Sequence, residues 1–261
     1  MITKKDLNSF KTWFNNYVNS FKSDNPNYQQ NIEIKIKHSK NVCNEILDIG
    51  KSINLNENDL YLAETLALFH DIGRFEQYDK YHTFSDKRSE NHSIIGINVL
   101  RNSDILKNLR SSTSDMILRC ILYHNRPELP SGETEKCLLF TKLLRDADKV
   151  DIFRVVTEYY TRKDKTRNSS IELELPDNPN ISDKIYKNII DKNVIMMEDV
   201  ENLNDFKLLQ LGWIFDINFS RTYEIINHRE YLPIIISSLP KSGKIVHINT
   251  IINNYISYKT K

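Results

Sequence analysis

Apolar residues recur along this chain at intervals of three and four, the spacing of one helical face, and rarely alternate. Val42, Ile46, Ile49 and Ile53 form one such stripe, Ala63 and Leu66 another, and Ile117 and Ile121 a third. Only 6 glycines and 7 prolines punctuate the sequence, so helices are expected nearly throughout and the fold class is all-α. The spacing predicts helices over residues 4–21, 28–53, 58–71, 91–101, 114–124 and 134–160, with a polar loop between Asp71 and His92. Residues 162–182, with Asn168-Ser169-Ser170 and Pro176-Asp177-Asn178-Pro179, read as a long surface connection carrying a short strand at 171–175. Helices then resume: Ser182 is placed to cap one through Ile190, and others are expected over 204–215, 221–227, 231–237 and 244–258. The expected organisation is a core over 1–160, a connecting loop over 161–182, and a C-terminal helical extension over 183–261 packed on that core.

A 39% hydrophobic and 27% charged composition suits a globular chain and is too apolar for disorder. Net charge is +1, from 36 basic and 35 acidic residues. Nothing global therefore draws the chain to nucleic acid or an anionic membrane, and no stable nucleic-acid partner is expected. The first 21 residues lack the apolar run of a secretory signal, and no run approaches the roughly 18 residues that span a bilayer. A cytoplasmic location and no membrane association are the expectations. Cys43, Cys120 and Cys137 are scattered and read as free core thiols. Trp213 and Phe215 follow apolar helix spacing and read as core packing, not as a base-stacking platform.

The informative feature is where ionisable residues fall on these stripes. His38 lies one step of four before Val42, and His70 one step of four after Leu66, with Asp71 in the same relation to Ala67. His92 precedes Gly96 and Val99, His124 follows Ile117 and Ile121, and Asp148 follows Thr141 and Leu144, each at steps of three and four. Burying such groups costs several kcal/mol unless something compensates. Imidazoles and carboxylates gathered from separate segments suit a divalent iron, manganese, zinc or nickel ion. Six such ligands suffice for two ions bridged by one carboxylate, with Asp71 as the natural bridge. The competing reading for any single histidine is a hydrogen-bonded core residue, and for Asp71 a helix cap. Gly73 is read as permitting an abrupt turn after the pair.

These residues resemble the HD superfamily of metal-dependent phosphohydrolases. His38 is similar to the first histidine of that family, His70-Asp71 to its doublet within an HDIG run, and Asp148, in Asp146-Ala147-Asp148-Lys149, to the distal aspartate. Asp146 and Asp151 are rivals, but only Asp148 follows the alanine as the pattern asks. His92 and His124 resemble two further histidines of members with a binuclear site, which favours two metal ions. The resemblance covers residues 35–154.

What it implies is an HD-type helical bundle that cleaves a phosphate ester or anhydride, with metal-bound hydroxide attacking phosphorus. The substrate expected is a nucleotide or another small phosphorylated molecule. Arg74 is the implied catalytic and phosphate-holding cation; Arg145 and Lys149 are further candidates for the phosphate, with solvated surface charge as their competing reading. The chain has no Gly-Tyr-Pro segment after His124 of the kind that marks the cyclic-dinucleotide phosphodiesterases, which argues against that substrate. Two other readings are an HD-type di-iron oxygenase built on the same ligands and a non-catalytic nucleotide sensor.

Overall fold

The computed structural model of the protein describes residues 1–164 and 166–259, and no strand occurs among them. The helices in chain order are α1 (Lys4–Asn19), α2 (Pro26–Ser52), α3 (Glu57–Phe69), α4 (Gly73–Tyr81), α5 (His92–Asn102), α6 (Ser111–Tyr123) and α7 (Glu135–Thr161). They continue with α8 (Asp183–Ile190), α9 (Leu203–Gly212), α10 (Ser220–His228), α11 (Tyr231–Ser237) and α12 (Gly243–Lys259). The chain forms two compact units, Met1–Asp151 and Ile152–Lys261, and α7 starts in the first and ends in the second. No helix among the described residues is long and apolar enough to cross a membrane.

In the first unit, short polar side chains start the helices by taking backbone N–H groups that have no partner within the helix. Thr3 and Asp6 cap α1 reciprocally, Asn25 caps α2 ahead of Pro26, Asn56 caps α3, and Asn91 caps α5. The stripes then pack: α2 lies against α3 and α4, α1 against α3, and α6 against α3 and α5. Ile46, Ile49, Leu66, Phe69, Phe75 and Leu144 are fully buried between them. Burying such a side chain contributes roughly 1.5–3 kcal/mol. Cys120 and Cys137, 17 residues apart in sequence, bring their Sγ atoms to 3.7 Å as free buried thiols.

Two sequence expectations change here. The polar stretch after Asp71 contains α4, anchored by buried Phe75 and Tyr78 three residues apart and by buried Gln77. Two apolar anchors in nine residues make too short a stripe to stand out from a loop. Gly73 is needed for close approach, since its φ is not positive. A Cβ there would stand 2.2 Å from the His92 carbonyl oxygen and 2.4 Å from the Gly96 nitrogen. The absent side chain is what lets α4 and α5 meet backbone to backbone.

In the second unit α9 packs on α8 and α11, and α12 on α8 and α10. The rings of Trp213 and Phe215 meet those of Phe153 and Tyr255, with centroids 5.8 and 4.9 Å apart. Residues 171–175 do not form a strand: Leu173 and Glu174 take left-handed φ values of 52° and 59°, which turn the chain. Ser182 precedes α8 but does not cap it with its side chain, because its hydroxyl donates to Asp205 Oδ2 at 2.5 Å.

Candidate metal centre

Every residue in this centre belongs to the first unit. His38 projects from the middle of α2, His92 from the first turn of α5, and Asp148 from α7. His70 and His124 occupy equivalent positions, each the first residue past a helix, α3 and α6 respectively. The last carbonyls of a helix lack an onward backbone N–H. Here Ala67 O and Ile121 O, three residues back, meet Nδ1 of His70 at 2.8 Å and of His124 at 2.7 Å. A carbonyl oxygen only accepts, so Nδ1 carries a hydrogen, and Nε2 is the nitrogen whose lone pair the neutral ring offers.

The other two histidines turn Nδ1 toward carboxylates instead. Nδ1 of His38 lies 2.7 Å from Asp151 Oδ2, and Nδ1 of His92 lies 2.7 Å from Asp86 Oδ2. Four Nε2 atoms then face inward in two pairs, His38 with His70 and His92 with His124, each pair 3.2 Å apart. Two imidazole lone pairs at that distance repel unless a cation or a proton lies between them.

Asp71 divides its oxygens between the pairs. Oδ2 is 3.5 Å from His38 Nε2 and 3.8 Å from His70 Nε2, whereas Oδ1 is 3.4 Å from His92 Nε2. Asp148 Oδ1 completes the first side, 3.1 Å from His38 Nε2 and 3.6 Å from His70 Nε2. Three sets, His38-His70-Asp71, His70-His124-Asp148 and Asp71-His92-His124, each hold their donor atoms within 4.8 Å. All six residues picked out by spacing are thus brought to one place.

Burial would push the Asp71 carboxyl up, but Lys35, His70, Arg74 and His92 outweigh it and hold the group well below the usual range. At Asp148 burial is likewise outweighed, by hydrogen bonds with His38 and His70. His124 is pushed down to about 3 by burial and its histidine neighbours. Two ionised carboxylates and four imidazoles, of which His38 must first give up a proton held by Asp148 and Asp151, are the donor chemistry of a divalent transition metal, so these residues fit such an ion. No ligand has to be moved in from elsewhere in the fold.

The predicted cations are placed differently from one another. Arg74 lies beside the cluster, its Nε 3.4 Å from Asp71 Oδ1, while its Nη1 donates to Gln77 Oε1 and Asp86 Oδ1. Arg145 is buried, and its Nη1 donates to the carbonyls of His124 and Arg126, clamping the chain that leaves α6. Lys149 is buried as well. Sequence reasoning missed Lys35, whose Nζ is 2.8 Å from Asp71 Oδ2, and Asp86, and it weighed Asp151 only as a rival to Asp148, not as the partner of His38. A signal was present for two of them: Lys35 precedes His38 by three residues and Asp151 follows Asp148 by three, so each shares a helix face with a ligand. Asp86 lies in a loop, where no period points inward.

Comparison with curated proteins and with solved structures finds no match. A family model described as HD domain matches residues 36–152, the segment that supplies all six clustered side chains. Residues 36–152 are thus an HD domain, of a family whose activity is in general metal-dependent phosphohydrolysis.

Proposed function

We propose that the chain hydrolyses a phosphate ester or anhydride of a nucleotide or another small phosphorylated molecule, using two divalent metal ions. His38, His70 and Asp148 would hold one ion, His92 and His124 the other, and Asp71 would bridge them. The observation that supports this reading is the convergence of four imidazoles, their rings oriented by Nδ1 hydrogen bonds, on the two oxygens of one buried carboxylate. Bound ions of this kind supply Lewis acidity and lower the pKa of water toward neutrality.

The chain's own residues do the rest. Lys35 and Arg74, both partly exposed beside Asp71, offer cations to the non-bridging oxygens of a phosphoryl group. Arg145 holds the carbonyls of His124 and Arg126, and so steadies the chain on either side of the His124 ring. The same cations give a phosphate more to bind than dioxygen would find, which favours hydrolysis over oxygenase chemistry.

The test is to load the purified protein with Mn2+, Fe2+, Zn2+ or Ni2+, count metals per chain, and assay phosphate release from a panel of nucleotides and phosphate esters without oxygen. Wild type is expected to bind two ions and turn over, and Asp71→Ala to lose metal and at least about 100-fold in rate. Full metal content and full activity in Asp71→Ala would remove the proposed centre. Turnover that requires oxygen would replace the hydrolase reading with the oxygenase.

A further inference from the structure

The two histidine pairs share one pattern of support. In each, one ring is held by the carbonyl of its own helix, His70 by Ala67 O and His124 by Ile121 O. The other ring is held by a carboxylate from a distant segment, His38 by Asp151 and His92 by Asp86, each at 2.7 Å. Asp151 is 113 residues from His38 in sequence and its side chain is fully buried. Asp86 is 30% exposed and also accepts from Arg74 Nη1 at 3.0 Å and Gln77 Nε2 at 2.8 Å, with Asn125 Nδ2 farther away at 3.4 Å. Gln77 Nε2 additionally reaches Ser89 Oγ and the Glu90 carbonyl, so the loop that carries Asp86 is tied down along its length.

A carboxylate behind an imidazole does two things that a carbonyl does less well. It makes Nε2 more basic, and it fixes the ring against a rigid, charged partner. We propose that Asp151 and Asp86 are a matched pair of positioning residues, one behind each metal position, and that each sets the affinity of its own ion independently of the other. The proposal rests on the two-ion reading above. It extends that reading to residues that touch neither ion nor substrate, and it assigns Asp86 and Asp151 parallel roles although one is in a loop and the other in a helix.

Co2+ titrations of the metal-free protein, read by calorimetry and by the visible absorption of the bound ion, test it without recourse to activity. Wild type should show two binding steps. Asp151→Asn and Asp86→Asn keep the side-chain shape and an accepting oxygen while removing the charge. Each should weaken one step by about 10–100-fold and shift its absorption band, leave the other step unchanged, and combine additively in the double variant. Circular dichroism of the metal-free variants should match wild type.

If both variants weaken the same step, or neither changes affinity, the proposal is overturned while the metal reading stands. A wild type that takes up no Co2+, or a single ion, overturns the two-ion reading and the proposal with it. Should a variant fail to fold, proton NMR of Zn2+-loaded wild type decides. The Nδ1 protons of carboxylate-bound His38 and His92 should lie downfield of those of carbonyl-bound His70 and His124, and the reverse order would overturn the assignment.

Discussion

Among the clustered side chains, His38 is where pH acts on the centre. Burial alone would make its ring harder to protonate, but hydrogen bonds with Asp148 and Asp151 reverse this and raise it to about 9. A metal ion has to displace that proton, so affinity should climb as pH rises from 6 to 9, by up to about tenfold per unit from this group, and level off above. His124, held down to about 3, stays neutral throughout and adds nothing to the slope. Metal titrations in buffers of different ionisation enthalpy would show the released proton directly. A flat profile would mean that His38 meets the metal already neutral. All six clustered residues were legible in the sequence because each sits on an apolar stripe, where a charged group needs a reason to be. Asp86 was not, since a loop has no period and its partner His92 is recognisable only after folding.

At the level of the elements, the join between α4 and α5 is the most sensitive point. Gly73→Ala puts a methyl group into the backbone of the neighbouring helix, at 2.2 Å from His92 O. Gly96→Ala meets nothing so near: the Ile72 Cγ2 atom at 3.2 Å and the Gly73 nitrogen at 3.3 Å. Gly73→Ala should therefore lose stability at or above the upper end of about 1–3 kcal/mol, and Gly96→Ala less. Urea unfolding midpoints would rank them, and equal losses would show that the helices slide apart freely. At α1, Thr3→Ala removes one half of the reciprocal cap and should cost about 1 kcal/mol with little effect on metal binding. Long helices such as α2 and α7 were readable from apolar spacing alone. The nine-residue α4 was not, because its stability comes from Phe75, Gln77 and Tyr78 packing into a unit that the local sequence does not reveal.

For the molecule as a whole, ligand linkage gives the plainest expectation. An ion that binds only the folded chain stabilises it by about 2.7 kcal/mol at a hundred times its Kd. Saturating Mn2+ or Zn2+ should raise the thermal midpoint, and a chelator should reverse the rise; a midpoint indifferent to both would count against the centre. All-helical architecture was legible from the scarcity of glycine and proline and the absence of alternation. The turn at Leu173 and Glu174 was not, because left-handed backbone at non-glycine residues has no compositional mark. The two histidines at the ends of α3 and α6, His70 and His124, have a further consequence. Each takes its bearing from the helix it terminates, so its aim travels with that helix, as a sight travels with a barrel. His38 and His92 are aimed only while separate parts of the chain stay together. Gentle warming should therefore blur the two kinds of ring in sequence, His38 and His92 before His70 and His124.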